Sequence, residues 1–405
     1  MKILIAGQAF YQHNNGQAVF TINLAEGLVN AGHQVLVMAP SEKIAPYRKE
    51  QNGVEIQTVP TLPLKYNANV TALSDRLVAN TVAAFAPDVV HIQDHYFLSR
   101  SVLRAAEAYS IKRIGTNHFL PENIMDNLRL PIWLRSPLEH WLWGTMLTVY
   151  NRLDGVTTPT ETAVKIVQQA GLRPPVRAIS CGVDSWQFRP RPELDRSALR
   201  RTYGLHVDKT MLLFVGRVDH EKCLDVIIQA LALLPRQDLQ FVIAGAGSHQ
   251  HTLVALAQEL GVAERVIFTG YVPERDLPLL LNSADAFVMP GHAELQSIAT
   301  LEAMASGLPV IAANARALPE LVTPDVNGYL FTADDSQAAA QSITALLENR
   351  PRWLAMGAAG RQIAAAHSTQ STTHLYLEWY ERVPHLAEIS TKQVKPATPG
   401  LFQES

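Results

Sequence analysis

Short apolar runs rich in β-branched residues alternate with longer stretches of helical periodicity along almost the whole chain, and that alternation selects parallel sheets wrapped by helices on both faces. The first unit is the clearest. A strand at 3–5 leads through a loop from Gly7 to Gly16 into a helix carrying Val19, Ile22, Leu24, Leu28 and Val29, which stops near Gly32 before a second strand at 34–39. Further strands are expected at 54–59, 89–92, 113–116 and 155–158. A second series, at 211–215, 240–244, 266–269, 286–289 and 310–312, begins after Arg189, Pro190, Arg191 and Pro192, where turn formers collect. At 405 residues the chain exceeds what one core supports. The expected fold class is therefore α/β, with two doubly wound, Rossmann-like domains at 1–188 and 189–367. Thr372, Leu375, Tyr376, Trp379 and Val383 mark a last amphipathic helix within 368–384, and 385–405 reads as a flexible tail.

Composition narrows the function classes. Hydrophobic residues at 47% and charged residues at 18% exclude extended disorder. A net charge of -3 offers no broad attraction for nucleic acid phosphates. Cys181 and Cys223 are too few for a disulfide framework, which fits a reducing cytoplasm. The apolar run after Met1 is shorter than a secretion signal, and no stretch reaches the roughly 18 residues that span a bilayer. Peripheral contact with a membrane stays open.

The segment from Gly291 to Pro309 carries the richest chemistry. Glu294 falls in a loop, Ser297 is an N-cap, Ile298 to Ala305 form a short helix, and Gly307 with Pro309 end it. Glu302, the only charged side chain between Leu295 and Ala315, is either a satisfied core carboxylate or a group answered by a ligand hydroxyl. The amides of Gln296, Ser297 and Ile298 at the helix start favour an anion. After the strand at 211–215, Gly216 permits a tight turn that presents Arg217 and Lys222. This is a guanidinium fork and a point charge suited to a diphosphate, unless Asp219 and Glu221 absorb them in surface ion pairs.

Other features are weaker. Gly245 and Gly247 form a lone G-x-G, and the Gly7 to Gly16 loop lacks both the dinucleotide fingerprint and the P-loop ending. Gly16 can still let helix-start amides approach a phosphate. His118 and His95 follow strands at the presumed cleft, each either a structural histidine or a reacting group, whereas His249 and His251 read as surface residues. No H-E-x-x-H, cysteine cluster or D-x-D pair supports a metal site, and no G-x-S-x-G elbow supports a serine hydrolase.

Taken together, Arg217, Lys222, Glu294 and Glu302 resemble the site of the retaining glycosyltransferases of family four, which have the GT-B fold with two domains facing a cleft. The resemblance extends to the Met1 to Ile5 strand, Ala31 to Val35, Asp88 to His91, Cys181 to Asp184 with Phe188, and Val215 to Arg217. It implies that Arg217 and Lys222 hold a donor diphosphate completed by Gly16, Glu302 the ribose, and Glu294 the transferred sugar. It implies further that the backbone at Tyr271 and Val272 reads the base, and that His118 lies near the reacting sugar. It also implies a C-terminal helix returning to the first domain, no metal and no cofactor beyond the nucleotide-sugar, and a UDP-sugar of glucose or galactose by family frequency.

The chain departs from the family pattern at Cys181, at Cys223 and in the turn Asn314 to Ala317, where asparagine, glycine and a Gly-containing turn are usual. The stretch after Glu294 is similar to members that glycosylate membrane lipids such as diacylglycerols. Trp133, Arg135, Trp141, Trp143 and Tyr150, within 131–150, suit either a membrane interface or a buried helix lining the acceptor cleft. Soluble or polysaccharide acceptors, an epimerase or phosphorylase of the same fold, and a non-catalytic binding module are the alternatives. A position at the inner face of the membrane follows from the lipid reading.

Overall fold

The computed structural model describes residues 1–10, 16–63, 69–71, 74–128 and 132–385. The expected tail beyond 385, residues 11–15 of the first loop and Pro131 lie outside the described residues. In chain order the strands are β1 Lys2–Ala6, β2 Gln34–Pro40, β3 Arg48–Gln51, β4 Val54–Val59, β5 Leu62–Pro63, β6 Asn69–Val70, β7 Val89–Ile92 and β8 Lys112–Thr116. They continue with β9 Gly155–Thr158, β10 Val176–Ala178, β11 Thr210–Val215, β12 Leu239–Ala244, β13 Val266–Gly270, β14 Ala286–Met289, β15 Val310–Ala313 and β16 Gly328–Phe331. Two large sheets result, ordered β10-β9-β8-β7-β1-β2-β4-β3 and β13-β12-β11-β14-β15-β16; all their pairings are parallel except β3 with β4.

Alternation along β1 explains why the first sheet is covered on both sides. Ile3 and Ile5 join one apolar cluster with Phe20, Leu28 and Tyr376, while Leu4 and Ala6 join another with Val90, Val102 and Met146. The second sheet has one continuous core that includes Phe214, Phe241, Phe287 and Ile343. Strands β3 and β10 escaped the sequence reading because they are edge strands whose exposed or half-exposed side chains give no apolar run, whereas β16 is a mostly buried strand of four residues that shows itself through its pairing with β15.

The helix Thr369–Arg382 packs on the first sheet and on the helix Gly16–Asn30. Tyr376 and Tyr380 are fully buried there. The Tyr376 hydroxyl meets Thr116 Oγ1 and Thr157 Oγ1, each at 2.9 Å, and the Tyr380 hydroxyl meets His91 Nδ1 at 2.7 Å. These bonds satisfy polar groups that burial would otherwise leave unpaired. The two helices approach closely at Gly27, where an added Cβ would stand 2.2 Å from Thr373 Oγ1. Gly27→Ala is therefore expected to lower stability by about 1–3 kcal/mol in urea unfolding, and adding Thr373→Ala to restore most of the loss.

Candidate active site

In the second sheet the strand order reverses between β11 and β14, which opens a crevice at their carboxyl ends. The loops leaving those two strands hold Arg217 with Lys222 and Glu294 with Ser297, respectively. Topology thus brings together side chains that lie 72 residues apart, and Lys222 Nζ donates to Glu294 Oε1 at 2.7 Å.

Between the two cations stands Glu221, only 1% exposed. Its Oε1 accepts from the Arg217 guanidinium at 2.5 Å and lies 3.5 Å from Lys222 Nζ, while Arg217 also bonds Asp219 at 2.6 Å. These are not merely surface pairs, because Glu221 is buried and Lys222 is mostly covered. Burial alone would depress the Lys222 ammonium, but Glu294 and Glu221 more than offset it and raise its pKa. The lysine is charged. Glu221 was missed as an anchor, since a carboxylate beside two cations gives no local signal of its burial.

The helix Ile298–Ala305 starts in this crevice. Ser297 caps it by accepting from the Thr300 amide at 3.2 Å, so the amides of Ile298 and Ala299 remain for a ligand. The Gln296 side chain is used differently. Its Oε1 accepts from the Cys181 amide at 2.7 Å and Ser180 Oγ at 3.1 Å, and its Nε2 donates to Pro159 O at 3.3 Å. The expected contribution of Gln296 to donor binding therefore reduces to its main chain, because the side chain joins the two halves. Glu302 lies a turn further in, and its carboxyl has no hydrogen bond from the protein among the described residues. Burial, helped by the charge of Glu274, pushes its pKa up to about 8. Glu274 follows the Tyr271 and Val272 turn after β13, so the protonated carboxyl and that turn share one side of the crevice.

The first sheet contributes a facing edge. Its order reverses between β1 and β7, and a Cβ built on Gly16 would lie 3.6 Å from Ile298 Cδ1. The starts of two helices therefore meet across the gap. Asp94, after β7, steadies this edge by accepting from the Gln8 amide at 2.6 Å and Gln17 Nε2 at 3.3 Å. His118 Nε2 donates to Gln93 Oε1 at 3.0 Å, and its ring lies 4.9 Å from Phe20. Burial drops its pKa to about 3, leaving a neutral imidazole with Nδ1 as acceptor. Asp94 and Gln93 were not singled out in the sequence as positioning groups; their position at a strand end beside the switch point was the available signal.

Across the gap, Thr160 Oγ1 donates to Leu295 O at 2.9 Å, the Thr162 amide to Glu320 at 2.7 Å, and Arg316 to Glu122 at 2.5 Å. Arg316 sits in the unusual turn at 314–317 with φ 48°, held by that ion pair. One reading needs correction, and two left open are narrowed. His249 is buried and packs 5.1 Å from the His220 ring, so it is not a surface residue. His95 is buried against Phe119 at 4.9 Å, which assigns it to the core. Tyr150 is buried with its hydroxyl on Thr116 O at 2.7 Å and cannot meet a membrane; Trp143 is half-buried, whereas Trp133 and Trp141 are 74% and 62% exposed. Gly245 and Gly247 serve packing. A Cβ on either would collide with the carbonyl of Gly216 or Val218.

Among the described residues no helix is long and apolar enough to cross a membrane. The profile described as Glycosyltransferase Family 4 matches residues 14–187, and that described as Glycosyl transferases group 1 matches residues 195–363. A D-inositol 3-phosphate glycosyltransferase of Xylanimonas cellulosilytica is 30% identical over 394 residues, covering 91% of this chain and 93% of the relative. An alpha-monoglucosyldiacylglycerol synthase of Streptococcus pneumoniae is 25% identical, covering 84% of this chain and 77% of the relative. The crystal structure of Anabaena HepE in complex with UDP-glucose matches with a TM-score of 0.76 at 20% identity, covering 94% of this chain and 99% of that one.

A carboxyl whose folded pKa stands above its unfolded value contributes its full stability below the unfolded pKa and loses it as pH rises through the folded one. The Glu302 contribution should therefore fade between about pH 4.5 and 8. Urea unfolding across that window should show the parent losing a few kcal/mol relative to Glu302→Gln, whose profile stays flatter.

Proposed function

This chain belongs to glycosyltransferase family 4 and has the GT-B fold, and on that premise we propose that it moves a hexose from a UDP-sugar to a lipid hydroxyl with retention of the anomeric configuration. The observation that carries the donor half is the convergence of Arg217 and Lys222 on buried Glu221, beside the start of the helix Ile298–Ala305 and facing Gly16. Two fixed cations and two helix starts make a site for a diphosphate.

In this reading the nucleoside lies toward the Tyr271 and Val272 backbone, with Glu302 on the ribose. A protonated carboxyl without a protein partner both donates to and accepts from a diol. Glu294 orients the sugar hydroxyls, and its bond to Lys222 links sugar recognition to the phosphate cation. As the glycosidic bond breaks, negative charge grows on the departing phosphate, where Arg217, Lys222, the amides of Ile298 and Ala299 and the backbone at Gly16 stabilise it. The leaving phosphate assists removal of the acceptor proton. His118 is neutral, so it accepts from a sugar hydroxyl without adding a cation beside the forming oxocarbenium centre. The charge balance needs no metal in the transfer step.

The acceptor half rests on exposed Trp133 at the start and Trp141 at the middle of the helix Ile132–Tyr150, whose far end is anchored in the first core by Met146 and Tyr150. The two indoles are both exposed, and amphipathic rings of this kind suit a headgroup layer. The relative named for diacylglycerol supports a lipid acceptor.

Lys222→Ala should leave the fold intact because Arg217 still answers Glu221, and should lower kcat/KM by about 100-fold or more. Excess chelator should leave the rate of the parent unchanged. A folded Lys222→Ala at full rate, or a strict metal requirement, would overturn the diphosphate assignment. For the acceptor, the protein is incubated with a panel of UDP- and GDP-sugars plus lipid extract or soluble acceptors, and products are identified by mass. A glycolipid is expected from a UDP-sugar, and Trp133→Ala with Trp141→Ala should weaken sedimentation with anionic vesicles; products on soluble acceptors alone would sink the lipid reading.

A further inference from the structure

Three loops at the carboxyl edge of the second sheet bring together Cys223, His292 and Asp334. Cys223 Sγ lies 3.2 Å from His292 Nδ1, which is 3.1 Å from Asp334 Oδ1, across sequence separations of 69 and 42 residues. All three atoms lie within 4.8 Å of one another. The thiol is buried, the imidazole half-buried and the carboxylate exposed, so the donor set opens to solvent on one side. Cys223 and Asp334 both adopt left-handed backbone, with φ 49° and 61°, a region that glycine enters freely and cysteine rarely does.

The separations suit a small tetrahedral ion. Zinc binds sulfur at about 2.3 Å and nitrogen or oxygen at about 2.0–2.2 Å, which sets neighbouring ligand atoms roughly 3.2–3.8 Å apart. A thiolate, an imidazole and a carboxylate together select a borderline-soft ion over magnesium or calcium, which prefer oxygen alone.

We propose that Cys223, His292 and Asp334 form a site for a zinc-class divalent cation, with three protein ligands and a fourth position open to water. On binding, the thiol proton passes to solvent and the thiolate joins the ion. Cys223 directly follows Lys222, and His292 lies two residues before Glu294, so an ion here ties together the two loops that carry the Lys222 to Glu294 bond. The ion takes no part in the transfer step; it holds the two loops together against unfolding, while the bond from Lys222 to Glu294 sets the positions of the donor groups. The sequence gives no sign of this site because its ligands come from three separate strand ends with no short spacing between them.

The test reads metal binding itself, so its failure is distinct from failure of the glycosyltransferase reading. Metal-stripped full-length protein carrying Cys181→Ser, which removes the other thiol, is titrated with Co2+ and then with Zn2+. A saturable thiolate-to-cobalt absorption at one ion per chain, displaced by Zn2+, is expected. Cys223→Gly, which suits the left-handed backbone and so spares the fold, should abolish the band. Asp334→Asn and His292→Ala should each weaken Zn2+ binding by at least about tenfold, the loss that even an outer partner brings. Absence of the band in the parent, or unchanged Zn2+ affinity in Cys223→Gly, overturns the proposal.

Discussion

A carboxylate cut off from water organises the donor side of this protein. Glu221 is 1% exposed, and a buried charge persists only when cations answer it at close range. Arg217 and Lys222 do so from the same turn, so their positions are set before any ligand arrives. Charges held in advance need no reorganisation when negative charge develops on a leaving group, and a partly enclosed site screens them less than water would. The bond from Lys222 to Glu294 adds a second constraint, fixing the loop after β14 against the turn after β11.

The two halves meet through contacts that converge on the same loops. Gln296 bonds the main chain at Pro159 and Cys181, Thr160 bonds Leu295, and the helix Thr369–Arg382 covers the first sheet with Tyr376 and Tyr380. The loop between Glu294 and Ser297 therefore answers to both sheets at once. Glu302 and His118, one on each side of the gap, are both neutral near pH 7 for the same reason, which is that burial penalises their charged forms. The cleft thus sets Arg217 and Lys222, each answered by carboxylates of Asp219, Glu221 and Glu294, beside two uncharged polar groups.

Much of this was legible locally. Strands β4, β7, β9 and β14 and the helix Ile298–Ala305 fall at the expected bounds, because apolar periodicity and the Ser297 cap act over a few residues. Edge strands β3 and β10 were not legible, since solvated strands lack a continuous apolar run. Gln296 read as a donor contact because its neighbours are helix-start amides; nothing local reveals that its side chain reaches Cys181, 115 residues away.

The sequence alone determined the alternating α/β architecture, the switch to a second set of strands after Arg191, and the candidate turns bearing Arg217, Lys222, Glu294 and Glu302, because each depends on residues close together in the chain. Tertiary structure decided which of those turns share a crevice, that Glu221 is buried between two cations, that His249 and Tyr150 lie inside, and that Cys223 meets His292 and Asp334. The physical reason is that strand order and burial arise from packing among distant segments. The same packing sets the charge state of Glu302 through its desolvation.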